Sequence, residues 1–326
     1  MDKTQIELKG RVVLVTGASS GIGAVCAQYF ASMGMKVVLA ARRADKLEEV
    51  VAKIKSEVVG AEAIAVCGSI ANEEDQKRFY SEAQKAFGEP VSMVLANAGI
   101  GKLDDPITGE FSAIREVYET NVLGSFLSLR ESVKAMREAV SCGGRNFGGS
   151  IVFISTAGAV FNNERLKDVQ NPAIAQVYIS SKLALTGLVK TAAIQYAPEK
   201  IRIYGLLPFV YASRGQPELA PGTVDEFAKI NPIFPENRGS PLDIARIVWH
   251  LFENSSGFAP GENILSDHDA TFSSSLYSSI LESPVRDPVF LPGQIRDASG
   301  QLPYNFSIRP SSTVSFSSSS SSSSSS

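Results

Sequence analysis

Val12-Val13-Leu14-Val15-Thr16-Gly17-Ala18-Ser19-Ser20-Gly21-Ile22-Gly23 decides the fold. The apolar run Val12–Val15 has strand length and no alternation, which marks a strand buried on both faces. The glycine-rich turn follows at once, and the stretch after it, Ala24–Met33, has helical periodicity. Glycines in such a turn let the backbone bend tightly and approach a pyrophosphate. The helix that follows would offer it free N–H groups and a favourable dipole. A glycine motif alone is weak evidence, because glycine also serves ordinary turns. Its place between a strand and a helix gives it weight.

Working outward, the same alternation repeats along the chain. Val37–Ala40, Ala63–Val66, Met93–Ala96, Ile151–Ile154, Ile201–Leu206 and Glu262–Leu265 read as further strands. Ala44–Glu57, Glu73–Phe87, Phe111–Val140, Ile174–Tyr196 and Pro241–Glu253 read as helices between them. Strands and helices in alternation specify a parallel sheet covered on both sides. The expectation is a doubly wound, Rossmann-type α/β domain with seven mostly parallel strands, spanning 1–272. From 273 to 326 serine dominates, and Ser317–Ser326 is a homopolymer. Such a run cannot bury enough apolar surface to offset its ordering entropy, so the end of this extension reads as disordered.

With 326 residues, 44% of them apolar, the chain can build one well-buried core. A net charge of −3 gives no reason to expect a nucleic-acid partner. No apolar run reaches the roughly 18–20 residues of a membrane span. Met1–Gly10 is charged and does not read as a secretory signal. Cys26, Cys67 and Cys142 are odd in number and far apart, which argues against a disulfide framework and for a reducing, cytoplasmic setting. Cys26 and Cys67 lie in apolar stretches and read as small core residues. His250 and His268 make no metal-ligand spacing with each other or with the cysteines, so no metal is expected.

Four motifs in order show a resemblance: Gly17-x-x-x-Gly21-x-Gly23, Asn97-Ala98-Gly99, Asn121, and Tyr178-x-x-x-Lys182. From about Lys9 to Thr271 the chain resembles the short-chain dehydrogenase/reductase family. The resemblance implies an oxidoreductase that moves a hydride between a nicotinamide cofactor and a carbonyl or alcohol carbon of a small organic substrate. Gly17, Ser19, Ser20, Gly21, Ile22 and Gly23 would hold the cofactor phosphates. Asn97, Ala98 and Gly99 would steady the sheet beside it. Asn121 would support a water-linked proton path. Tyr178 would give or take the proton, and Lys182 would also hold the nicotinamide ribose. The spacing of Tyr178 and Lys182 puts both on one helix face, where a cation should lower the phenol's pKa. The serine that the family places after the fifth strand is either Thr156 or Ser155, depending on which end the count starts from. Only one should face the substrate, since successive strand residues point oppositely.

The cofactor reads as NADP(H). A carboxylate after the second strand would hold the ribose of NAD(H), but the chain has Ala40-Ala41-Arg42-Arg43 there. Two guanidinium groups suit a 2′-phosphate. NAD(H) is left open. Gly68 stands where family members carry an adenine-contacting Asp. Tyr204 and Phe209 replace a family Asn and Gly, and Asp267-His268-Asp269 replaces Asp-Gly-Gly. Val210 would bond the carboxamide. The insert Asn162–Asn171 and the loop Tyr211–Arg238 would border the substrate cleft, with Phe161, Phe209, Tyr211, Phe227 and Phe234 as apolar lining. The family commonly assembles through its two long helices, which implies a homodimer or homotetramer. Ala184, Gly187, Ala192 and Ala193 are small enough for close packing there. Two other readings stand beside the reductase. One is a catalytically impaired NADP(H)-binding sensor or scaffold. The other is reduction of a 3-oxoacyl thioester.

Overall fold

A computed structural model describes residues 6–101, 109–143, 148–159, 172–208, 240–254 and 256–266. β1 (Val12–Thr16) leads into α1 (Gly21–Ser32), β2 (Lys36–Ala41), α2 (Ala44–Glu57), β3 (Ala63–Cys67), α3 (Glu73–Phe87) and β4 (Met93–Ala96). The second half runs through α4 (Phe111–Tyr118), a π turn (Glu119–Leu123), α5 (Gly124–Gly143), β5 (Gly149–Ile154) and α6 (Pro172–Tyr196). It finishes with β6 (Ile201–Pro208), α7 (Pro241–Glu253) and β7 (Asn263–Ser266). The strands form one sheet in the order β3-β2-β1-β4-β5-β6-β7, and every pairing is parallel. The expected architecture is the observed one.

The burial of each strand follows its place in the sheet. β1, β4 and β5 are buried at every position, as continuous apolar runs require. The edge strands β3 and β7 are only partly buried. One core lies against α1, α2 and α7, where Phe30 meets Phe252 with ring centroids 5.6 Å apart. The other lies against α3, α5 and α6 around Phe79, Met136, Phe153 and Val189. Local chemistry sets the helix ends. Asn72 caps α3 by accepting from the Asp75 N–H, and Gly88 ends it at φ +69°. Ser240 and Asp243 form a capping box on α7, with Pro241 in its first turn.

Two expectations need correction. The stretch Phe111–Val140 is broken at Glu119–Leu123, where the helix widens into a π turn. Cys26 is buried, but Cys67 is exposed, because it ends an edge strand. Gln176–Glu199 is long and apolar enough, by length and composition, to cross a membrane, with mean hydropathy 1.2. All but its last three residues belong to α6, whose Leu185, Val189, Ala192 and Ala193 pack into the core. Of the four small residues expected at a subunit contact, Ala192 and Ala193 therefore serve packing within the chain, whereas Ala184 and Gly187 are exposed.

Val210, the insert 162–171, the loop 211–238 with its aromatic residues, Phe161, Phe209 and residues 267–326 lie outside the described residues.

Candidate active site

The strand order reverses between β1 and β4, which opens a crevice at their carboxyl ends. Both glycine motifs sit there. Gly17 adopts φ +68° and Gly21 φ +57°, backbone that side chains disfavour. A Cβ at Gly17 would stand 2.9 Å from Ala98 Cα, and one at Gly23 would stand 2.7 Å from Asn97 Nδ2. Glycine is therefore required at 17 by conformation and at 23 by close approach. Ser20 caps α1 in extended conformation without a side-chain bond, and the first turn of α1 carries no acidic residue. Its N–H groups are thus left to meet an anion. Ile22 roots this turn in the core beside α1.

Thr16, which the sequence reading did not single out, ties the two loops together. Its hydroxyl accepts the N–H groups of Asn97 and Ala98, each at 3.1 Å. Asn97 Nδ2 returns a bond to the Thr16 carbonyl at 3.0 Å. The only sequence signal for Thr16 was its place before Gly17, which any residue could occupy.

Arg43 reaches the glycine turn: its guanidinium donates to Ser19 Oγ and Ser20 Oγ, both at 2.8 Å. Arg42 points elsewhere and pairs with Glu116 of α4 at 3.9 Å, with both side chains exposed. Gly68 has no room for a side chain, since a Cβ would stand 2.9 Å from Asp75 Cγ. Asp75 accepts the Ser69 N–H there at 2.8 Å.

The second group of residues gathers on α6 and the π turn. Tyr178 is half-buried, Lys182 is buried, and the Lys182 ammonium lies 5.9 Å from the Tyr178 ring centroid. Lys182 Nζ donates to the Ile154 carbonyl at 2.8 Å. Burial pushes the Tyr178 phenol up to about 12, and burial brings the Lys182 ammonium down to about 8. The expected lowering of the phenol is therefore not what the chain itself produces. The ammonium is turned to a carbonyl, and desolvation dominates both groups. Gly99 leaves space for this arrangement: a Cβ there would meet Lys182 Nζ at 2.9 Å and Asn121 Oδ1 at 3.2 Å.

Asn121 is fully buried in the π turn. Its Oδ1 accepts the Ile100 N–H at 2.8 Å, and its Nδ2 donates to the Ile100 carbonyl and to Ser181 Oγ, both at 2.9 Å. Ser181 donates in turn to the Tyr178 carbonyl at 2.6 Å. Ser181 was visible only as a spacer inside Tyr-x-x-x-Lys. Its contact partner Asn121 is 60 residues away.

The two hydroxyls after β5 part company. Ser155 is buried and donates to the Lys182 carbonyl at 2.9 Å. Thr156 is partly exposed, and its oxygen accepts weakly from the Gly158 N–H at 3.4 Å. That leaves the Thr156 proton free of a partner among the described residues.

Comparison with known proteins places this geometry. Residues 11–222 match the family model described as short chain dehydrogenase. Versicolorin reductase 1 of Aspergillus parasiticus is 33% identical over 282 residues, covering 81% of this chain and 97% of the relative. Tetrahydroxynaphthalene reductase of Pyricularia oryzae is 31% identical, covering 81% and 90%. Among solved structures, a Serratia marcescens short-chain dehydrogenase/reductase mutant is similar with TM-score 0.68 and 25% identity, covering 81% of this chain and 99% of that one.

Proposed function

This chain belongs to the short-chain dehydrogenase/reductase family, and on that premise we propose that it reduces a carbonyl carbon of a small organic substrate with NADPH, Tyr178 giving the proton. One observation carries the reading. Ser181 joins the Asn121 side chain to the Tyr178 backbone, and a Cβ at Gly99 would meet both Lys182 Nζ and Asn121 Oδ1, so the three residues gather at one place beside the Asn97–Gly99 loop.

The residues present fit a nicotinamide dinucleotide. Gly17 and Gly23 are places that a Cβ would fill, and α1 presents an N-terminus without a side-chain cap. Gly17, Ser19, Ser20, Gly21, Ile22 and Gly23 would hold its phosphates. Asn97, Ala98 and Gly99 would line it, with Lys182 at the ribose. Bound there, the nicotinamide supplies or accepts a hydride. NADP(H) is favoured because Arg43 is already braced by two serine hydroxyls at the end of β2, where no carboxylate stands. The reducing direction is chosen because the relatives include proteins named as reductases. Tyr178 would give its proton to the carbonyl oxygen as that oxygen gains charge, and would take it back in the reverse reaction. Thr156 would donate a hydrogen bond to the same oxygen. A reducing, cytoplasmic setting belongs to the same proposal.

The test is NADPH oxidation by the full chain with carbonyl substrates chosen around the names of its relatives. Versicolorin, tetrahydroxynaphthalene and cyclohexanol (the last for the reverse direction) belong in the panel. Tyr178→Phe should cut turnover by about 10²–10⁴-fold while NADPH still binds. NADPH binding without turnover across the panel would favour the sensor or scaffold instead.

A further inference from the structure

Gln76 lies on α3, outside the glycine turn and the Tyr178–Lys182 pair, and is fully buried. An amide in such a place costs free energy unless its polar atoms are used. Its Nε2 reaches three oxygens: the Ile70 carbonyl at 2.9 Å, Ser128 Oγ at 2.7 Å and the Gly124 carbonyl at 3.3 Å. Its Oε1 has no partner among the described residues. Packing alone would be better served by an apolar side chain of the same size, so the donors account for the amide.

Those three oxygens surround one end of the π turn. Gly124 follows its last residue, and Ser128 Oγ donates to the same Gly124 carbonyl at 2.9 Å. Ile70, from the loop after β3, sits directly on Gly124: a Cβ there would stand 2.9 Å from Ile70 Cδ1. Gln76 therefore fastens the β3–α3 loop and α5 together where the helix leaves its π turn. Short π segments inside α-helices are rare and are frequently found at functional sites. Within that turn stands Asn121, whose side chain bonds Ile100 after β4 and Ser181 on α6. We propose that Gln76 is a positioning residue that holds the π turn in register and so keeps Asn121 on Ile100 and Ser181. The catalytic half of this inference rests on the reductase reading above; the positioning half does not.

The Ile100 N–H reports on Asn121 from a separate element, since Asn121 Oδ1 is its acceptor. Amide hydrogen exchange in the full chain is compared for wild type, Gln76→Met and Asn121→Ala. In Gln76→Met the Ile100 amide should exchange about threefold to tenfold faster, the range expected for one weakened hydrogen bond. Asn121→Ala sets the upper limit, and amides of α1 and α7 should keep their rates. Unchanged exchange at Ile100, or an equal rise in all elements, overturns the proposal. Should Gln76→Met fail to fold, Ser128→Ala decides. It removes one Gln76 acceptor with little loss of volume, so it should speed Ile100 by a smaller factor, and no change at Ile100 overturns the proposal. With a substrate in hand, Gln76→Met should lower kcat while KM and NADPH affinity stay within about twofold of wild type. Faster Ile100 exchange with kcat unchanged overturns the catalytic part. If wild type turns over no substrate, the reductase reading falls, and the Ile100 rates still decide whether Gln76 positions Asn121.

Discussion

Adjacent residues in this chain do different work, and the hydroxyls of Ser155 and Thr156 show it. Ser155 donates to the Lys182 carbonyl inside the core, whereas Thr156 is partly exposed and its proton has no acceptor among the described residues. Thr156→Val should therefore lower kcat by about tenfold or more, the effect of one lost transition-state donor, with little change in melting temperature. Ser155→Ala should do the reverse, costing about 1 kcal/mol of stability with a smaller effect on rate. Thermal unfolding and steady-state kinetics on both variants separate the roles. The two arginines divide similarly. Arg43 is fixed on the glycine turn, while Arg42 pairs with Glu116 in solvent. Arg43→Ala should weaken NADPH binding about tenfold to a hundredfold and leave NADH nearly unchanged. Arg42→Ala should cost less, because an exposed pair contributes little. Titrations of both variants with both cofactors check this. The sequence showed the residue types at all four positions. It could not show that Ser155 is buried on the Lys182 carbonyl or that Arg43 rather than Arg42 reaches the glycine turn, because those partners lie 20 or more residues away.

At the scale of elements, the strands and most helices were legible from apolar runs and periodicity. Asn72, Gly88, Ser240 and Pro241 mark helix ends by chemistry that acts within a few residues. The π turn was not legible. Its five residues, Glu119–Leu123, hold no glycine or proline to mark a break, and the groups that meet it, Gln76, Ile70 and Ser181, lie on other elements. Tyr204 is a second case. It stands in β6 where the family has an Asn. The side chain is buried in the core beside α1 and α7, with its hydroxyl lacking a partner among the described residues. Tyr204→Phe removes that polar atom without changing shape. It should leave NADPH binding and turnover unchanged and keep or raise the melting temperature, by the equivalent of about 1 kcal/mol at most.

For the molecule as a whole, the buried Lys182 sets a cost that depends on pH. Burial lowers its pKa to about 8 from an ordinary 10.5. Below about pH 8 the ammonium is charged in the folded and unfolded chain alike, and burying it costs about 3 kcal/mol. Between about 8 and 10.5 the unfolded chain binds more protons, so this cost fades as pH rises. Lys182→Met should therefore be more stable than wild type at pH 7, with the gap closing by pH 10 and turnover lost at both. The lost bond to the Ile154 carbonyl offsets part of the gain, about 1 kcal/mol. Urea unfolding at the two pH values measures it. A gap that stays constant with pH would show that Lys182 carries no such cost.

The sequence by itself determined the doubly wound sheet, the glycine turn and the spacing of Tyr178 and Lys182. Each is a local property: apolar runs, a turn that side chains disfavour, and one helical turn between two residues. Tertiary structure alone decided what those groups do to one another. It turned Lys182 towards the Ile154 carbonyl, put Ser155 inside and Thr156 outside, seated Arg43 rather than Arg42 on the glycine turn, and set Asn121 in a π turn held from α3. These outcomes depend on burial and on hydrogen bonds between residues tens of positions apart, which no window along the chain contains.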